Sequence, residues 1–467
     1  MGSICLVISL LYSTFMVVRD CRRRRNVSAA IWIPTIFVMI LASRPMSVWA
    51  AGGRVRGAVE NANDLASSSL DQIFYLSVLG ISFLVASMRG VKWGKIYAAN
   101  KTLMIFYLYF FLSILWSSDP SGSFKRLIKD FSLLFVAALI FTEKDPMEAV
   151  RAVYVRCAFV LLPLSMVFIK WFPVYGRVYG IGGEMTLTGV TTQKNSLGEI
   201  VLIFTLFLVW DYLEMRRATE TVRRRKIPWA LFFLLLNGGW LLHLSDSKTA
   251  TVCTAVGLFL IIRSGRLLSK TISRVVFIGA LSLPFLVFFS QEFGEVIAPL
   301  MAALGRDMTF TGRTEIWQHI NINTVNPLIG YGYWNFWGGP GGDRINLAMK
   351  ALIPNAHNGY LDLYLDGGIL GLSVLFLLLL ATGNSIIKRL KPGSDENRYQ
   401  RVRLAFVVAA IIYNLSESTF ARMGPIWLTS LMMITDFPAA AFVRKASAAV
   451  RHGSNLAFNR ISPPSAI

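Results

Sequence analysis

An all-α bundle of membrane-crossing helices is the fold class this sequence predicts, and three observations carry it. Of 467 residues, 54% are hydrophobic and only 16% charged, with a mean hydropathy of +0.54; a soluble chain is about a quarter charged. Apolar runs recur along the chain at about the 20 residues a helix needs to cross a bilayer. Basic residues gather in short blocks at the ends of alternate runs, the pattern by which positive charge sets topology. That placement also explains the formal net charge of +21. A nucleic-acid surface needs its cations on one contiguous face. Here they are divided by apolar segments, so nucleic acid is not an expected partner.

In chain order, apolar segments fall at 2–18, 29–49, 73–87, 103–116, 131–142, 150–171, 197–213, 228–244, 249–262, 274–290, 358–380, 404–416 and 425–442. They predict about 12–13 spans. Arg19 and Arg22 to Arg25 follow the first. Arg216, Arg217 and Arg223 to Lys226 follow the seventh, and Arg263, Arg266, Lys270 and Arg274 the ninth. Lys388, Arg389, Lys391, Arg398, Arg401 and Arg403 follow the eleventh, and Arg444, Lys445 and Arg451 the last. All lie on one side if every span is real, which places the N-terminus outside and the C-terminus inside. No basic n-region precedes the first run, so a cleaved signal peptide is not expected. Cys5, Cys21, Cys157 and Cys253 have no metal-ligand spacing and read as reduced, structural thiols.

One stretch breaks the rhythm. Residues 291–356 form a long loop on the extracytoplasmic side, rich in Gly, Trp, Asn and Pro. Loops of this length are usually functional or disordered, and the aromatic content argues against disorder.

Ionisable residues at membrane depth are costly, so they are functional candidates. In Thr311-Gly-Arg-Thr-Glu-Ile-Trp-Gln318, Thr311 or Gly312 can cap a helix with Arg313 in its first turn, an arrangement suited to phosphate; a capped helix with a solvated arginine is the alternative. In Pro354-Asn-Ala-His-Asn-Gly-Tyr-Leu-Asp-Leu-Tyr-Leu-Asp-Gly-Gly-Ile-Leu-Gly371, His357 stands where the loop enters a helix. An imidazole there can take a proton from a sugar hydroxyl, or be an ordinary interfacial histidine. Asp362 and Asp366 share a helix face, and Asn358 is a supporting candidate. Lys248, in Leu244-Ser-Asp-Ser-Lys-Thr-Ala250, is a further anion ligand or a snorkelling lysine. Arg44, Arg177 and Lys194 add cations to the outer side, against the topological trend, and Asn195 or Ser196 can cap the seventh helix. Glu417, in Asn414-Leu-Ser-Glu-Ser-Thr419, is a polar residue near an outer helix end. No P-loop, GxGxxG or HExxH motif is present. Neither a cofactor nor a metal is expected.

Ser245-Asp-Ser-Lys-Thr-Ala250, Gly312-Arg-Thr-Glu-Ile-Trp317 and His357-Asn-Gly-Tyr-Leu361 with the following Asp-Gly-Gly-Ile-Leu-Gly resemble the shared domain of O-antigen ligases and polysaccharide polymerases, over about 230–380. Ser43-Arg-Pro-Met-Ser-Val-Trp49, Leu115-Trp-Ser-Ser-Asp-Pro120 and Lys194-Asn-Ser-Leu-Gly198 resemble the exopolysaccharide-polymerase (ExoQ-like) branch. The resemblance divides the chain into N-terminal helices 1–229, a ligase-like core 230–380 and C-terminal helices with a cytoplasmic tail, 381–467. It implies a bacterial inner-membrane glycosyltransferase facing the periplasm. The donor would be an undecaprenyl-diphosphate-linked oligosaccharide and the acceptor a glycan or lipid A-core, with membrane lipids and other polysaccharide-export proteins as partners. Arg313 would hold the diphosphate and His357 would activate the acceptor. Where the ligases carry arginine after the Ser-Asp-Ser run, this chain has Lys248, which keeps the charge and loses the bidentate fork. The upstream motifs favour a polymerase. A ligase acting on lipid A-core, a lipid-linked oligosaccharide flippase and a non-catalytic membrane partner are the alternatives. A flippase predicts repeats and ionisable residues at the midplane, whereas here they cluster at one surface.

Overall fold

The computed structural model describes residues 1–54, 68–179, 183–218, 228–267, 269–288, 313–320, 325–390, 395–438 and 441. Outside this set lie Thr311, Gly312, Arg223 to Lys226, Lys391, Arg444, Lys445 and Arg451, and with them 291–312 and 321–324 of the long loop. Every apolar segment read from the sequence falls on a helix, and the β-structure among the described residues is one hairpin, Arg177–Tyr179 paired antiparallel with Met185–Leu187.

Helix ends follow local chemistry. Asp119 accepts from Gly122 N at 2.9 Å and Asp145 from Glu148 N at 3.0 Å, each with proline in the next position, so Pro120–Phe141 and Pro146–Trp171 start where the backbone first has free donors. Five described helices are long and apolar enough to cross a membrane: Gly2–Arg23, Ser69–Met88, Pro146–Trp171, Lys194–Arg217 and Gly359–Arg389. A pair, Trp93–Ala99 with Lys101–Trp116, is apolar enough when taken together but bends through 94°, the geometry of a broken span or a re-entrant loop. The sequence count of 12–13 includes segments that the structure shortens or breaks. Segment 29–49 is interrupted between Leu41 and Met46, and the helix in 425–442 ends at Ile434.

Pro146–Trp171 and Lys194–Ala218 sit at the centre, packed on each other, with Gly2–Arg23, Lys248–Leu267 and Asp395–Tyr413 around them. The core is continuous from Met16 to Ile434. Peripheral helices turn Ile4, Ile8, Leu11, Ile73, Phe83 and Phe233 outward. Such faces are liabilities in water and fit a hydrocarbon surround.

Polar contacts sort into two ends, as the alternation of spans requires. At the basic end Arg24 bonds Asp20 and Asp211, each at 2.7 Å, Arg89 meets Glu143 at 2.7 Å, and Arg403 meets Asp436 at 2.8 Å. At the other end the segments around Arg44, Ser117, Thr191, Ser247, Trp334, His357 and Glu417 contact one another.

The long helix Gly359–Arg389 is broken at Gly368 (φ +59°, ψ −162°). Residues 327–332 enter that break and take over its backbone bonds. Tyr331 N donates to Leu365 O (2.9 Å) and Gly332 N to Asp366 O (2.8 Å), while Pro327 O and Leu328 O accept from Ile369 N and Leu370 N (2.8 and 3.1 Å). A Cβ on Gly368 would lie 2.3 Å from the carbonyl carbon of Leu328. This contact is what the Asp-Gly-Gly run and the Ile-Gly-Tyr-Gly run provide for each other.

Candidate active site at the non-basic end

Asn358 caps Gly359–Arg389, its side-chain oxygen accepting from Tyr360 N and Leu361 N. The residue before it, His357, has φ +50°, a left-handed conformation that histidine tolerates better than most residues. Asn355 Oδ1 accepts from His357 N at 2.9 Å, and Asp362 Oδ1 accepts from Ala356 N at 3.0 Å. The turn is therefore held on both sides, and such strained turns cluster at functional sites.

Glu417, on the 414–424 segment, is the hub. Its carboxylate lies 2.6 Å from Arg313 Nη2, 3.5 Å from His357 Nδ1 and 2.9 Å from Asn195 Nδ2. Burial opposes its charge. His357 and then Arg313 outweigh burial and hold the carboxyl below its ordinary value. A second pair lies close by: Arg422 Nη2 meets Asp366 at 2.6 Å, with the guanidinium 4.6 Å above the Trp334 ring. Burial works against this charge too, and Asp366, then Asp362, more than offset it. Asp362 accepts from Trp337 Nε1 at 2.7 Å and from Ser418 Oγ. Buried Nη1 atoms of both Arg313 and Arg422 have no hydrogen-bond acceptor among the described residues.

His357, Glu417, Arg422, Trp334 and Trp337 line a cavity of about 190 Å³. Hydroxyl and amide groups of Gln193, Asn195, Ser196 and Thr419 complete much of its wall. Aromatic faces, side-chain amides, a held imidazole and guanidinium donors with free valence are the groups that bind a sugar and a phosphate and move a proton between them.

The structure thus joins Arg313, His357 and Glu417, with Asn358 and Asp366 behind them. The remaining candidates stand apart from this wall. Lys248 and Lys194 are exposed (side chains 59% and 43%) and share Asp246 at 3.8 and 3.7 Å; their corner adjoins the hub through Asn195, next to Lys194, and through Thr249, whose hydroxyl lies 2.5 Å from that of Ser416. Arg177 Nε donates to Ile169 O at 3.0 Å, next to the hairpin. Arg44 is buried and directs its guanidinium at backbone carbonyls of Gly189 (2.9 Å), Thr191 (3.1 Å), Tyr175 and Gly53, tying outer segments together. Sequence reasoning missed Arg422 and Glu199. The first lies five residues after Glu417, and the second, also on the cavity wall, accepts from Ile426 N at 2.9 Å.

These features define a multi-pass membrane protein whose candidate site is assembled where 313–317, 354–358 and 414–424 meet. The family model Wzy_C, O-antigen ligase, matches residues 229–376 of the chain, which hold Arg313, His357 and Asp366. Over a longer stretch, the chain is similar to the exopolysaccharide production protein ExoQ of Rhizobium meliloti (strain 1021), with 25% identity over 363 residues, covering 74% of this chain and 78% of the relative.

Proposed function

We propose that this protein is a glycosyltransferase of the bacterial inner membrane that joins lipid-diphosphate-linked repeat units into polysaccharide on the periplasmic face. The observation that carries the reading is His357, held against Glu417 and opening into the same cavity as Arg422, with Arg313 on the far side of the carboxylate. In this reaction an acceptor hydroxyl oxygen attacks the anomeric carbon of the donor. The bond from that carbon to the diphosphate oxygen breaks, and the hydroxyl proton passes to His357. Glu417 stabilises the imidazolium that forms. Guanidinium N–H groups of Arg313 and Arg422 receive the charge that grows on the departing diphosphate. Undecaprenyl diphosphate is the carrier implied by the family. Orientation rests on charge: the site lies at the end opposite the basic blocks, which is the periplasmic end by the positive-inside rule.

The similarity to ExoQ along most of the chain favours a polymerase. The match described as O-antigen ligase supports the second reading, transfer of a finished chain to lipid A-core. The test compares a deletion strain with the same strain carrying wild type, His357→Ala or Arg313→Ala, with carrier-linked, secreted and lipid A-linked glycans resolved by size. A polymerase variant accumulates single repeats on the carrier and makes no long chains. A ligase variant keeps long chains on the carrier and loses them only from lipid A. Unchanged pools in all strains would overturn both readings.

A further inference from the structure

A cavity larger than the one at His357 lies at the other end of the bundle. It has a volume of about 590 Å³ and sits among the C-terminal ends of Gly2–Arg23 and Lys194–Ala218 and the N-terminal ends of Pro146–Trp171 and Trp229–Leu244. Its floor is apolar, formed by Met16, Val155, Phe159, Leu208 and Leu231. Its rim is charged, and most of those charges are already matched. Asp20 is met by Arg24 and Arg156 at 2.7 and 2.9 Å. Asp211 is met by Arg24, Arg151 and Arg23 at 2.7, 3.2 and 3.4 Å. Arg398 and Arg217 meet Glu214 at 3.1 and 3.6 Å. Asp145 caps a helix, and its neighbour Glu148 has no ion pair among the described residues. Counting the arginines that serve these acids, cations exceed carboxylates around the cavity. Arg19 and Arg216, both on the rim and both exposed, carry no ion pair among the described residues.

We infer that this cavity binds an anionic phospholipid, with its phosphate at Arg19 and Arg216 and an acyl chain on the Met16–Phe159–Leu231 floor. An apolar floor under a rim on which Arg19 and Arg216 carry no ion pair among the described residues, set at a common end of four helices, offers the two halves of a glycerophospholipid what each requires. Basic pockets between membrane helices on the cytoplasmic side are where anionic headgroups are held. The orientation proposed above only names the leaflet; the binding chemistry does not depend on it, nor on the reaction at His357.

The test uses the full chain in mixed micelles containing phosphatidylglycerol, phosphatidylethanolamine of the same acyl chains, and a polyprenyl diphosphate, read by native mass spectrometry. Wild type is expected to retain phosphatidylglycerol in preference to phosphatidylethanolamine. Arg19→Gln/Arg216→Gln should weaken that retention roughly 30-fold, about tenfold or less for each cation removed. A control pair, Arg22→Gln/Arg25→Gln, removes exposed cations from the same helix end that do not line the cavity, and it should leave retention within about threefold. Equal loss in the two double variants would reduce the effect to general surface charge and overturn a built site. Displacement of phosphatidylglycerol by equimolar polyprenyl diphosphate would overturn the phospholipid as occupant. An unchanged elution profile and melting temperature in each variant separates lost binding from lost fold.

Discussion

Glu417→Gln is the substitution that reaches furthest into the site. Glutamine keeps the size and can still receive Asn195 Nδ2, but it removes the negative charge that lies 2.6 Å from Arg313 and 3.5 Å from His357. Two consequences follow. His357 Nδ1 stands 3.5 Å from the carboxylate without a hydrogen bond among the described residues; in the proposed reaction the imidazolium would close that gap, and a hydrogen bond between charged groups contributes about 1.5–3 kcal/mol, so the variant loses support of that order. At about 1.4 kcal/mol per tenfold, transfer should slow by roughly 10- to 150-fold. Arg313 meanwhile becomes a buried cation without its counter-charge, and breaking such a pair typically destabilises by about 3–5 kcal/mol. The assay is single-turnover transfer from a lipid-diphosphate-linked repeat by purified protein in micelles, measured across pH, with the melting temperature taken in parallel. Glu417→Asp, which restores the charge at a shorter reach, should recover part of the rate. A Glu417→Gln protein within twofold of wild type at every pH would refute the reasoning, because the carboxylate would then neither support the imidazole nor hold the arginine.

Further outcomes follow from the same contacts. Because Glu417 has a folded-state value below the ordinary glutamate value of about 4.3, its stabilising contribution is present above that value and is lost as pH falls through the folded one. Acid melting of wild type should therefore steepen below about pH 4, and Glu417→Gln should lack that component. Gly368→Ala should prevent stable accumulation in the membrane, since the new Cβ meets the Leu328 carbonyl carbon at 2.3 Å in a conformation reserved for glycine; pulse-chase of the membrane fraction measures it. Arg422→Ala should reduce transfer by at least about tenfold, whereas Lys248→Ala, exposed and paired with an exposed Asp246, should change it by less than about threefold. The reverse order would place the diphosphate at the Ser245–Thr249 corner.

Helix positions were legible in the sequence because apolar length and basic flanks are local properties, and the charge alternation correctly grouped the segments that meet at each end. Arg313 and His357 were legible as residue types in telling places, but not as partners, since 44 positions of chain separate them. Glu417 looked like one more polar residue at a helix end; what makes it the hub is the convergence of three distant segments. Arg422 gave only the signal of a cation on the outer side close to a carboxylate. Arg44 stood out for the same charge that marked the others, yet its surroundings are carbonyl oxygens brought together by tertiary packing. Nothing within the Ser-Arg-Pro run foretells that. Breaks within apolar segments were not legible for a related reason: hydropathy measures how apolar a segment is, and it is blind to interruptions such as the one between Leu41 and Met46.

The break at Gly368 also bears on what can open. Residues 327–332 form part of the hydrogen-bonding framework of Gly359–Arg389, so lifting them would strip partners from backbone groups at the edge of the bilayer, at several kcal/mol for each group left bare. This portion of the long outer segment is thus a fixed jamb and no lid. Opening of the proposed site would have to use a different hinge, and the flank formed by Gln193, Asn195 and Ser196 makes no hydrogen bond to that helix among the described residues. Assembly is constrained in the same way: the outer half of Gly359–Arg389 becomes fully bonded only after a stretch made some 30–40 residues earlier has docked, so this last part of the site matures by docking rather than by simple helix insertion.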